Sequence, residues 1–169
     1  DVMTRSIVEQ AHDFYDAVPY EVPVPETSLY ELLDTAARLY PDRVALDYFG
    51  ATTTYAQVRD QVLRAARVLH EAGVRAGDTV AIALPNCPQA FVAFYACMRI
   101  GAVAAQHNPL APAQEIAGQL ARHGGRVAVV WEKCVDAYPL DALDTVLTVD
   151  ISFSMPASQR FLLKLPVPR

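Results

Sequence analysis

The stretch Gly73-Val74-Arg75-Ala76-Gly77-Asp78-Thr79-Val80-Ala81-Ile82-Ala83-Leu84-Pro85-Asn86 decides the fold. Gly73 closes an amphipathic run, at the position past a helix end where φ is often positive. Gly77-Asp78 is turn chemistry, because a short Asp side chain bonds its own backbone there. Thr79 to Leu84 is an apolar run of strand length, and Pro85 and Pro88 punctuate its exit.

Downstream, residues 89–100 are apolar nearly all round, which predicts a helix buried on most sides and ended by Gly101. A strand at 102–106 follows, then the turn Asn108-Pro109 and a helix near 113–123 that ends at Gly124-Gly125. Arg126 to Trp131 is the next strand and Thr145 to Val149 another. Strand, helix, strand, helix, strand is the order of an α/β fold: a mostly parallel sheet, right-handed crossovers and helices on its faces.

Upstream, Ser28-Leu29-Tyr30-Glu31 and Thr54-Tyr55-Ala56-Gln57 are capping boxes, each opening a helix. The first presents Leu29, Leu32, Leu33 and Ala36 as its apolar face and is stopped by Pro41. The second buries Val58, Val62, Ala65, Ala66 and Leu69. Between them Val44, Leu46 and Tyr48 alternate as a strand, Gly50 turns the chain, and Thr52 to Thr54 return as a hairpin. Ile7, Ala11, Phe14 and Val18 recur at helical spacing, so residues 4–18 read as an amphipathic helix. Pro19, Pro23 and Pro25 then impose extended chain. The expected division is an N-terminal helix and proline-containing arm over 1–27, an α/β lobe over 28–150, and a linker-like tail over 151–169.

The composition belongs to a globular protein, with 53% hydrophobic and 20% charged residues. A net charge of −5 and scattered basic residues exclude a phosphate-neutralising stripe, so no nucleic-acid partner is expected. The longest apolar run, Ala90 to Met98, is far short of the ~20 residues a transmembrane helix needs. With no targeting segment visible, a soluble cytoplasmic protein is expected. Cys87, Cys97 and Cys134 make no Cys-x-x-Cys pair and read as buried free thiols.

Catalytic chemistry is hard to find. The glycines 50, 73, 77, 101, 118, 124 and 125 form neither Gly-x-Gly-x-x-Gly nor a phosphate loop. No Gly-x-Ser-x-Gly elbow occurs. The histidines 12, 70, 107 and 123 never fall three or four apart, so no helix face collects a metal pair. His123 reads as a charge complement to a helix C-terminus. Asp47, Asp78, Asp141 and Asp144 are the tempting carboxylates. Asp78 belongs to a turn, Asp141 and Asp144 fit one helical turn, and none has an acid–base partner. Lys133 and Lys164 lack a phosphate context. His107 is the one candidate for a substrate contact, because it leaves a strand at the carboxyl end of the sheet, where open parallel sheets bind ligands. A turn-stabilising residue is the competing reading. Catalytic, cofactor-binding and metal-binding residues are therefore expected to be absent.

Taken together, local patterns resemble the adenylate-forming, AMP-binding enzymes, and among them the long-chain fatty-acyl-CoA ligases. The Gly73–Asn86 segment is similar to that family's helix end, Gly-Asp turn and strand running into Pro-Asn. Ala96 to Val103 is similar to its buried helix leading into a Gly-Ala-Val strand. Asn108-Pro109-Leu110 with Glu115 resembles its Asn-Pro-Leu-Tyr-Thr…Glu-Leu stretch, with Ala111-Pro112 in place of Tyr-Thr. Leu29 to Ala45, the helix start at Thr54-Tyr55 and the tail from Met155-Pro156 onward also match. The resemblance spans residues 28–132 well.

The resemblance implies the N-terminal lobe of the adenylate-forming fold, incomplete by itself. It implies a parent enzyme that joins a fatty acid to coenzyme A through an acyl-adenylate, with ATP and magnesium. The phosphate loop, the nucleotide motifs and the catalytic lysine of that family have no match in these residues. The chain alone is therefore expected to be inactive and to bind no cofactor. Its expected partners are the C-terminal remainder of the same enzyme and a second copy in a homodimer, with fatty acid as the parent's substrate. The competing expectations are a stand-alone, non-catalytic interaction or dimerisation module derived from this family, and an unrelated doubly wound binding domain.

Overall fold

The computed structural model describes residues 23–163. The helix expected over residues 4–18 and the prolines at 166 and 168 lie outside the described residues.

Helix α1 runs Leu29–Leu39. The Ser28 side chain caps it by accepting from the Glu31 N–H, while the Glu31 carboxylate is taken by the Thr27 hydroxyl instead of reaching back. The expected apolar face is also corrected. Tyr30, Leu33 and Ala37 are buried, whereas Leu29 and Leu32 remain 48% and 54% exposed. Tyr30 and Leu33 pack on Val58, Val62 and Val92, and the Arg99 guanidinium lies 5.1 Å above the Tyr30 ring. These contacts rotate the helix by about one residue from the face that leucine spacing alone favours.

Strands β1 (Val44–Tyr48) and β2 (Ala51–Thr54) pair antiparallel in a sheet of their own. Phe49 and Gly50 join them with φ of 54° and 87°, the left-handed pair that a two-residue hairpin turn demands. Helix α2 (Tyr55–Glu71) starts at a complete capping box: Thr54 Oγ1 accepts from the Gln57 N–H at 3.3 Å, and Gln57 Oε1 accepts from the Thr54 N–H at 2.9 Å.

The main sheet holds β3 (Thr79–Ala83), β4 (Val103–Gln106), β5 (Val127–Trp131) and β6 (Thr145–Val149), all parallel in the order β4-β3-β5-β6. Helix α3 (Pro88–Ile100) links β3 to β4, and α4 (Ala113–His123) carries the chain from β4 across to β5. Proline opens α3 at its first turn, where a missing N–H is harmless, so the helix begins at Pro88 rather than Gln89. Alternation along β3 and β5 divides the core. Val80, Ile82, Val127 and Val129 meet α2 and α3; Ala81, Ala83, Ala128 and Val130 meet Ile116 and Leu120 of α4 together with Tyr138. Small residues on that second face let α4 lie close. Each fully buried aliphatic side chain contributes about 1.5–3 kcal/mol.

After β5 come 3-10 turns at Glu132–Ala137 and Leu140–Ala142. Within the stretch read as a tail, a 3-10 turn at Ile151–Ser154 is followed by the short helix α5 (Ala157–Leu162). Ile151 packs against the α2–α3 side of the core, and Gln159 donates to the Phe49 carbonyl at 3.3 Å.

Candidate functional site

The winding direction reverses at β3, with β4 on one side and β5 on the other. In open parallel sheets such a reversal places the ligand crevice beyond the carboxyl ends of the strands. There the loop Leu84-Pro85-Asn86-Cys87 leaves β3, and a groove of about 560 Å³ opens between it, the hairpin and α3. Tyr48, Phe91, Phe94 and Tyr95 supply its aromatic walls, and Asp47, Asn86 and Gln106 its polar rim.

His107, the sequence candidate, does not face that groove. Its N–H donates to the Ile82 carbonyl at 2.9 Å, which ties the residue to β3, and the side chain is 6% exposed. Nδ1 lies 3.2 Å from the Tyr138 hydroxyl and Nε2 lies 2.9 Å from His123 Nε2. Both ring nitrogens are thereby engaged within the lobe. His123 Nδ1 accepts from the Gly125 N–H at 3.0 Å. Burial lowers the pKa of His107, with His123 adding to the effect, and burial likewise lowers that of His123. His123 is therefore a half-buried hydrogen-bond partner whose burial disfavours the charged form, which weakens its reading as a charged complement to the helix dipole. Burial pushes the Tyr138 phenol up to about 12, so it stays a neutral hydroxyl.

The cluster was invisible to spacing rules. His107 and His123 are sixteen residues apart and Tyr138 is thirty-one from His107. Only the fold brings them together, and no local periodicity marks Tyr138.

The carboxylates are structural. Asp47 accepts from the Gly50 N–H at 2.9 Å and Asp78 from the Arg75 N–H at 2.7 Å. Asp141 sits in the 3-10 turn Leu140–Ala142 and Asp144 lies beyond it, so they do not share a helical turn. Asp144 instead receives a forked pair from Arg126, at 2.6 and 2.7 Å, which holds its carboxyl below the usual range. Lys133 lies over the Trp131 ring, and Lys164 is outside the described residues. Cys87 and Cys97 are buried as expected, and desolvation pushes the Cys97 thiol up to about 11, whereas Cys134 is only half-buried.

Among the described residues, no group of three or more His, Cys, Asp or Glu is placed to hold a metal ion. The start of α3, where a parallel sheet offers amides to phosphate, carries Pro88 without an N–H and a buried Cys87 as its cap. No helix among the described residues is long and apolar enough to cross a membrane.

Known proteins resemble this chain in sequence and fold. The family model described as "AMP-binding enzyme" matches residues 33–161. A long-chain-fatty-acid–CoA ligase of Bacillus subtilis is 28% identical over 156 residues, covering 89% of this chain and 28% of that protein. An acetyl-coenzyme A synthetase of Emericella nidulans is 45% identical over 80 residues, 44% of this chain and 12% of that protein. Among solved structures, the NpsA N-terminal subdomain of Klebsiella oxytoca superposes with a TM-score of 0.65 at 30% identity, covering 72% of this chain and 30% of that one. The chain thus spans less than a third of the length of each of these proteins. With a matched region running from α1 into α5 and the same α/β fold as an N-terminal subdomain, the chain belongs to the AMP-binding enzyme family.

Proposed function

We propose that this chain is the N-terminal scaffold lobe of a cytoplasmic acid–thiol ligase that activates a fatty acid. In the parent enzyme the carboxylate attacks the α-phosphate of ATP, giving acyl-adenylate and pyrophosphate. The coenzyme A thiol then displaces AMP to form the thioester. Bringing two anions together needs a cation and preorganised N–H donors, and magnesium would supply the charge when bound. None of the residues described here is assigned to that step. Their contribution is to hold the sheet and the aromatic groove against the remainder of the enzyme, which is the expected partner.

The observation that carries this reading is the family match over residues 33–161. A fatty substrate is favoured by the breadth of the likeness to the B. subtilis ligase, which covers 89% of this chain against 44% for the acetyl-coenzyme A synthetase. The test is to express the open reading frame that contains these residues and trap acyl-adenylate with hydroxylamine, using palmitate, acetate and a cinnamate in parallel. Hydroxamate from palmitate above all others is expected. Preference for acetate or the cinnamate overturns the fatty-acid assignment. A frame that ends at this lobe overturns the ligase reading in favour of a non-catalytic module.

A further inference from the structure

The histidine pair between α4 and the sheet has a hydrogen-bond order that can be derived. Gly125 N–H donates to His123 Nδ1, so the neutral His123 ring carries its proton on Nε2. That proton points at His107 Nε2, 2.9 Å away, which must accept. His107 therefore carries its own proton on Nδ1 and donates it to the Tyr138 hydroxyl at 3.2 Å. One continuous chain of donors runs from the backbone after α4, through both rings, to the segment that follows the 3-10 turn at Glu132–Ala137.

We infer that His107, His123 and Tyr138 form a proton-sensitive latch that fastens α4 and the 108–112 loop to the sheet only while both imidazoles are neutral. A second proton on His107 sets two N–H groups head-on across 2.9 Å. A second proton on His123 turns an N–H against the Gly125 N–H. Either event removes one link of the chain, and no neighbour compensates. The titratable or charged groups that bear on the pair are Arg122 from α4, whose charge opposes protonation of His123, and Tyr138 from the segment after β5, which hydrogen-bonds His107 and is itself faced by Cys134. Among the described residues neither ring hydrogen-bonds a carboxylate. Gly125 itself lies close against β3, where an added Cβ would stand 2.7 Å from the Thr79 carbonyl oxygen. The strain passes to α4 and to the loop that leads into it from His107.

The test uses the full 169-residue chain labelled with nitrogen-15. At pH 8 the ring spectra are expected to show His107 protonated on Nδ1 and His123 on Nε2. Lowering the pH from 8 until the rings protonate should charge both of them in one linked transition below the ordinary imidazole range. Over the same range the Ile116 and Leu120 amides should lose about tenfold in hydrogen-exchange protection, corrected for the intrinsic rate. In Tyr138→Phe the His107 Nδ1–H should lose its acceptor and exchange faster, while His70→Gln should leave the transition unchanged. Opposite tautomers, or α4 protection that stays constant while the rings protonate, would overturn the latch. Should Tyr138→Phe fail to fold, the wild-type tautomers and exchange profile decide alone.

Discussion

Gly125 sits against the carbonyl of Thr79 so closely that an added Cβ would stand 2.7 Å from that oxygen and 2.9 Å from His123 Nδ1. Its neighbour Gly124 has φ of 68° and open space around it. Two adjacent glycines therefore serve different needs, close approach in one case and a left-handed helix cap in the other. Gly125→Ala should destabilise the lobe by about 1–3 kcal/mol through overpacking and disturb the His123 ring. Gly124→Ala should cost about 1–2 kcal/mol through backbone strain and leave the His123 ring signals unchanged. Urea unfolding with ring spectra on both variants separates the two effects; identical spectra would contradict the distinction.

The orientation of α1 is tested by truncation. Leu33 is 4% exposed and packed on α2, so Leu33→Ala should destabilise by about 2–5 kcal/mol. Leu29→Ala and Leu32→Ala remove half-exposed side chains and should stay within about 0.5 kcal/mol. Equal losses at all three positions would restore the face that leucine spacing favours.

The capping box at α2 gives a second local measurement. Thr54→Ala leaves the Gln57 N–H without its acceptor and should cost about 0.5–2 kcal/mol. Ser28→Ala at α1, where only half of the box forms and the bond is 3.4 Å, should cost less. Paired thermal melts read the difference.

Stability should fall in mild acid. His107 and His123 both have folded pKa values lowered from 6.5, so the unfolded chain binds protons first as pH drops. Their contribution is complete above about pH 6.5 and is lost as pH falls through the lower folded values. Asp144, also lowered, from 3.8, acts in a separate window: its contribution is present above about pH 3.8 and is lost in stronger acid. Its pairing with Arg126 is exposed, so that second loss should be small and salt-screened. Melting temperatures from pH 8 to 3, at low and high salt, test both limbs; a flat profile between pH 6.5 and 5 would contradict the first.

Thiol reactivity should follow burial. Cys134 is half-buried and should react first with an aromatic disulfide reagent. Cys87 and Cys97, buried and with raised pKa values, should label only when the lobe unfolds. Rapid labelling of Cys97 in native buffer would be incompatible with its packing between α3 and the sheet.

The order of elements from Gly73 to Trp131 is legible because each boundary has its own chemistry. Gly101 and Gly124 take left-handed φ at helix ends, Pro88 opens a helix, and the strands are unbroken apolar runs. The face of α1 is less legible. Leucine spacing competes there with an aromatic residue, and Tyr30 wins by packing across two other helices. Strand order is not local at all, so the meeting of His107, His123 and Tyr138 follows only from β5 lying beside β3. Family kinship is readable along the whole lobe, while the acyl group is not, because the ligases it matches act on acids of different size.

The pairing of β3 has a consequence for how the chain is made. Thr79 pairs with Val103, but Val80 must wait for Val127 before its other edge is covered. Emerging from the ribosome, the strand at the centre of the sheet is completed early and partnered late. Such distant pairings slow folding, because the intervening chain must be closed into a loop before the contact rewards it. Until Trp131 has been synthesised, an uncovered Val-Ala-Ile-Ala edge is on offer, and the nascent chain at that length is a natural client for a chaperone that binds short apolar strands.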